Sequence, residues 1–110
     1  MPERLLTDFE LMLLLAVLRV GEDAYGVPIA RELEETGGRS TTLAAVYLAL
    51  ERLRERGLVA SRLGEPTPRR GGRAKKLFRI TPAGLRAVRR SHRAFVSLWK
   101  GIPELKGRPA

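Results

Sequence analysis

Hydrophobic positions recur at helical spacing in four stretches of the chain and alternate in two short ones lying between the third and the fourth. The first helix is predicted from Asp8 to Val20. Thr7 is its N-cap, Glu10 three residues on completes a capping box, and Gly21 stops it. Its body from Phe9 to Leu18 is apolar almost all round, which predicts burial on two sides; in a chain this small the second side is another subunit. The second helix is predicted from Tyr25 to Thr36, with Asp23 as cap, Pro28 in the tolerated first turn and Gly37-Gly38 as the stop. Tyr25, Ile29 and Leu33 form its apolar stripe. The third runs from Leu43 to Arg56, capped by Thr42 and ended by Gly57, with a core stripe of Leu43, Val46, Tyr47, Leu50 and Leu53. Its opposite face, Thr41, Ala44, Ala45, Leu48, Ala49 and Arg52, is rich in small residues and only weakly polar.

Residues 58–63 and 77–80 read as two strands. The Gly- and Pro-bearing segment GEPTPRRGGRAKK between them, residues 64–76, reads as the long tip of a β-hairpin. The fourth helix starts at a Thr81 cap with Pro82 in first position and runs to about Lys100 or Gly101, where Pro103 bars extension. Leu85, Val88, His92, Phe95, Trp99 and Ile102 are spaced 3, 4, 3, 4 and 3 apart, a heptad seam. The fold class is therefore mainly α with a small β-hairpin. A winged helix-turn-helix would occupy residues 1–81, its wing spanning about 62–79, followed by a C-terminal dimerisation helix over 82–102 and a flexible tail at 103–110.

Composition narrows the chemistry. One domain is the expectation for 110 residues, and 44% hydrophobic with 30% charged residues is a globular balance. The absence of cysteine excludes disulfides and cysteine-ligated metals, and a single histidine argues against any metal site; no cofactor is expected. The longest apolar run, Leu11 to Leu18, is eight residues, far short of the roughly twenty a membrane helix needs. Pro2-Glu3-Arg4 is no signal-peptide start, so a cytoplasmic protein without a membrane partner is expected. Charge is uneven: residues 1–38 carry net −5 and residues 39–110 net +14, with seventeen Arg to four Lys overall. An acidic front and a basic back point to a polyanion on one surface.

In order and spacing, AYGVPIARELEE (24–35), AVYLALERLRERGLV (45–59), GGRAKKLFRITPAG (71–84) and the aromatic-bearing helix that follows resemble the PadR family of bacterial transcriptional regulators. The resemblance spans Phe9 to Ile102, about nine-tenths of the chain. It implies a winged-helix homodimer binding palindromic operator DNA, usually as a repressor. It also implies the short subfamily, in which helices one and four pair across the dimer and some members hold flat aromatic ligands between the C-terminal helices. The chain departs from the family at Ala44, where many members carry glycine.

The partners expected are double-stranded DNA, a second copy and a small aromatic effector. In the wing, Arg62, Arg69, Arg70, Arg73, Lys75, Lys76 and Arg79 face only Glu65, a pattern suited to phosphate contacts or minor-groove insertion. The DNA contacts expected from it are Arg69, Arg70, Arg73, Lys75 and Lys76. On the third helix, Thr41 and Thr42 can bond phosphate or base edges, Ala45 and Leu48 can touch thymine methyls, Arg52 reaches phosphate, and the Tyr47 hydroxyl does so from a packed ring. Simple capping at Thr42 and core packing at Tyr47 and Leu48 are the competing readings. The dimer interface is expected at Phe9, Met12, Leu13, Leu85, Val88, His92, Phe95, Trp99 and Ile102. Phe95 and Trp99, one turn apart, are the candidate ligand-binding pair, against plain dimer packing. His92 either fixes register as a polar seam residue or makes the dimer pH-sensitive. Ser91-His92, adjacent on a helix, diverge and have no third partner, so no enzyme is expected. The alternative is an interaction module that binds protein or RNA without operator specificity; the basic wing favours nucleic acid over protein.

Overall fold

Both halves of the predicted capping box form at the start of α1 (Asp8–Val20). The Thr7 hydroxyl accepts from the Glu10 N–H at 3.1 Å and the Glu10 carboxylate accepts from the Thr7 N–H at 2.8 Å. In this computed structural model, residues 4–65 and 75–106 are described. Helix α1 ends at Gly21, whose φ of 88° is open to glycine at little cost. Leu13, Leu14, Ala16 and Val17 turn inward to form the floor of the core.

A 3-10 turn at Gly21–Asp23 then takes up Asp23, so Asp23 does not cap the second helix. Helix α2 (Gly26–Glu35) begins one residue later than the pattern predicts, with Tyr25 as a cap that offers no side-chain bond. The reason is long-range. The carbonyl of fully buried Ala24 accepts from the Phe78 N–H at 2.7 Å, which holds this backbone extended and delays the helix. Ile29 and Leu33 pack inward.

Helix α3 (Leu43–Glu55) is capped by the Thr42 hydroxyl, which accepts from the Ala45 N–H at 3.0 Å. Its buried stripe is Val46, Leu50 and Leu53 alone. Leu43 and Tyr47, expected on that stripe, stand 41% and 36% exposed. Both lie at the edge of that stripe.

Strands β1 (Val59–Leu63) and β2 (Lys76–Ile80) form a two-stranded antiparallel sheet in which Val59 faces Ile80 and Ser61 faces Phe78. Of the described strand residues, Val59 and Phe78 are buried. Arg69, Arg70 and Arg73 lie outside the described residues.

Helix α4 (Pro82–Trp99) starts as predicted, with the Thr81 hydroxyl accepting from the Gly84 N–H at 3.1 Å and donating to the Gly57 carbonyl at 2.6 Å. Gly84, Ala87 and Ser91 are its buried positions. The Ser91 hydroxyl accepts from the Leu6 N–H at 3.3 Å, so the N-terminal segment is pinned to this helix. From His92 onward almost every residue is exposed. Of the tail expected at 103–110, Pro103–Leu105 forms a 3-10 turn and residues 107–110 lie outside the described residues. The chain is thus four helices with one small hairpin, in winged helix-turn-helix order. Among the described residues no helix is long and apolar enough to cross a membrane.

Candidate nucleic-acid interface

Burial of Val46, Leu50 and Leu53 fixes the rotation of α3, and the 3.6-residue period then turns Ala44, Leu48 and Arg52 to the surface. Leu48 is 54% exposed, so the packing alternative does not apply within this chain. Thr41 and Ala45 are half-buried beside it. The Thr42 oxygen is occupied by its cap bond, and its O–H remains able to donate.

Tyr47 has a different setting. Its ring lies over the first turn of α2: a Cβ added at Gly26 would fall 2.5 Å from the ring and 2.6 Å from the hydroxyl. The ring centroid stands 6.5 Å from that of Phe78, tilted by 50°. Tyr47 therefore wedges α3 between α2 and the hairpin, and its hydroxyl sits at the positive end of the α2 dipole.

The end of the strand pair away from Val59 and Ile80 is tied to the body by its lysines. Lys75 Nζ lies 4.3 Å over the Tyr25 ring and donates to the Tyr25 hydroxyl at 3.2 Å. Lys76 Nζ lies 5.9 Å from the Phe78 ring centroid and pairs with Glu51 on α3 at 3.2 Å. The same carboxylate takes the Arg54 Nε–H at 2.7 Å. Hydrogen bonds from Arg54 and then from Lys76 hold the Glu51 carboxyl below its ordinary range. Glu51 is a link between α3 and the hairpin that the sequence alone does not reveal. Its i, i+3 pairing with Arg54 is visible in the sequence, but Lys76 lies 25 positions away, beyond any local pattern.

The expected seam divides in two. Leu85 and Val88 are half-buried against the chain's own body, while Phe95, Trp99 and Ile102 are 55%, 59% and 38% exposed and His92 is exposed with them. Leu98, outside the predicted heptad, is 75% exposed. Helix α1 offers half-buried Met12 and exposed Leu15 and Leu18 to the same outside. A groove of about 350 Å³ runs between Leu11 and Leu15 of α1 and Val88 and His92 of α4. Two residues expected at an interface differ in setting. Leu13 is fully buried in its own protomer's core and has no surface left for a partner. Phe9 is half-buried, with the Arg39 guanidinium 4.8 Å over its ring. Among the described residues no group of three or more His, Cys, Asp or Glu is placed to hold a metal ion.

Comparison with solved structures returns the same architecture in regulators. The chain is similar to a PadR family transcriptional regulator from Eggerthella lenta, at 26% identity and TM-score 0.65 over 86% of this chain and 80% of that one. It is similar to hsRosR-S1, solved as a complex, at 27% identity and TM-score 0.67 over 91% and 81%. A PadR-like regulator from Bacillus cereus, 20% identical over 91% and 93% of the two chains, shares the fold at TM-score 0.69. Among curated proteins there is no match. The model of the PadR-like transcriptional regulator family matches residues 14–90, from the buried half of α1 through the hairpin and into α4. With one face of α3 exposed beside a lysine-bearing hairpin and the family match spanning most of the sequence, the chain belongs to the PadR-like family of DNA-binding transcriptional regulators.

Proposed function

We propose that this protein is a dimeric repressor that binds a palindromic operator. The observation that carries the reading is the second half of α4, which presents Phe95, Leu98 and Trp99 more than half exposed. A helix end bearing that much apolar surface is stable in water when a second copy covers it. In such a dimer the outer face of α1, with Met12, Leu15 and Leu18, meets the partner alongside Leu85, Val88, His92 and Ile102. The two α3 helices then lie about one helical turn of DNA apart and read matching half-sites. Thr41, Thr42, Ala45 and Leu48 face the bases, and the Tyr47 hydroxyl faces phosphate. Arg52 and the wing cations Arg69, Arg70, Arg73, Lys75 and Lys76 grip the backbone. So few hydrogen-bonding side chains on α3 leave part of the specificity to DNA shape and half-site spacing.

The same seam is where a flat aromatic effector would bind, stacked on Phe95 and Trp99. Binding there would change the angle between the two α4 helices and so the spacing of the reading helices. The test is fluorescence anisotropy with a fragment from upstream of the protein's own gene against a scrambled fragment. Preference for the native fragment by about a hundredfold or more is expected of a specific regulator. Binding to neither at low salt would overturn the DNA reading in favour of a protein-binding module.

A further inference from the structure

A helix lying in the major groove has a sugar–phosphate strand on each side of it, because the groove is only about 12 Å wide. On one flank of α3 the hairpin meets that strand, with Lys76 held by Glu51. On the flank turned away from the hairpin, Ala45, Ala49, Arg52 and Arg56 line up at i, i+4, i+7 and i+11 along a groove of about 460 Å³. The groove's far wall is the N-terminal end of α1, which brings in Arg4 and Glu10.

Glu10 organises this wall. Arg4 reaches its two carboxylate oxygens at 3.3 and 3.2 Å, and Arg56, at the C-cap of α3, reaches it at 3.1 Å across 46 positions of sequence. The Glu10 side chain is 15% exposed while those of Arg4 and Arg56 are 58% and 31% exposed, so the anion is the inner member and both cations face outward. Arg52 forms no ion pair among the described residues. Three arginines line the groove and one carboxylate pairs with two of them, leaving a surplus of positive charge along a floor of alanines that admits a backbone closely.

We propose that this groove is a second phosphate-binding site, which takes the DNA strand on the side of α3 opposite the wing. Arg4, Arg52 and Arg56 are the contacting residues and Glu10 is the positioning residue. The proposal rests on the DNA reading and adds to it an anchor that carries affinity without sequence information. Arg52 supplies the uncommitted cation. Arg4 and Arg56 are held in advance by Glu10, so little side-chain freedom is lost when phosphate arrives.

The experiment measures binding of a random-sequence duplex over a salt series from about 50 to 200 mM, where the slope of log affinity against log salt falls by about 0.9 for each phosphate no longer neutralised. Arg52→Ala is expected to lower the slope by about one phosphate and Arg4→Ala/Arg56→Ala by about two. Arg86→Ala/Arg89→Ala, which removes the same charge from exposed positions on α4, is expected to leave it at the wild-type value. Arg4→Lys/Arg56→Lys tells missing positive charge apart from a loosened α1–α3 joint, because it keeps both charges and is expected to restore most of the slope. A wild-type slope in Arg52→Ala and Arg4→Ala/Arg56→Ala, or a decrease equal to that of the α4 control, would overturn the proposal. Wild-type protein that binds no duplex at low salt would overturn the DNA reading itself, and this groove with it.

Discussion

Gly84 is the tightest of the described glycines. A Cβ there would collide with the Leu58 carbonyl oxygen and lie 2.6 Å from Ile80, and the backbone on both sides is held, by the Thr81 cap and by the Thr81 N–H donating to Leu58. Gly84→Ala is expected to cost about 1–3 kcal/mol as overpacking, read as a lowered urea midpoint. Glu10 gives a pH-dependent counterpart. Burial raises its pKa, but the Thr7 N–H, Arg4 and Arg56 outweigh that, and the carboxyl titrates below the ordinary 4.5. A folded-state value below the unfolded one means stabilisation that is complete above about pH 4.5 and lost as pH falls through the folded value. Glu10→Gln should therefore be less stable than wild type near neutral pH, and the difference should shrink toward about pH 3. An equal deficit at both pH values would show that the ion pairs contribute nothing. Individual residues are legible in the sequence where local chemistry decides them, as with the Thr7–Glu10 box. They are not where depth decides: Leu13 and Leu48 carry the same side chain, and only the packed fold shows that one is sealed and the other half-exposed.

Among the elements, α1, α3 and α4 begin where Thr7, Thr42 and Thr81 place them, because a cap is a bond within three residues and needs no tertiary structure. The start of α2 escapes the sequence pattern because its determinant, the Phe78 N–H on the Ala24 carbonyl, comes from 54 positions away. Thr42→Ala is expected to cost about 1 kcal/mol in urea unfolding and to fray the end of α3 proposed to face DNA. Glu51 joins α3 to the hairpin through exposed ion pairs, which contribute little to stability. Glu51→Gln should leave the thermal midpoint nearly unchanged while freeing Lys76 and Arg54 for phosphate. The expected result is tighter, more salt-sensitive binding to random-sequence DNA. A drop in affinity would instead mean that Glu51 matters chiefly by orienting the wing.

At the scale of the molecule, the radius of gyration is 16.2 Å where about 13 Å is usual for this length, with extents of 57 × 35 × 21 Å. From His92 to Lys106 almost every residue is exposed, so that end of α4 lies beyond the core. The heptad rule finds Phe95 and Trp99 on that end but not Leu98, which continues the inward stripe of Gly84, Ala87 and Ser91 past the point where the chain's own core stops. Leu98→Ser/Trp99→Ser should shift the protein from dimer to monomer in sedimentation equilibrium without loss of helical content. An unchanged dimer would place the interface elsewhere. The measurement that bears most directly on the whole account is a hydroxyl-radical footprint on DNA upstream of the protein's own gene. Two protected stretches are expected, centred about one helical turn apart and related by a dyad. Both should be erased by Leu48→Glu in a protein that keeps its circular dichroism. Protection without a dyad, or a footprint that survives Leu48→Glu, would contradict the claim that paired α3 helices read the operator.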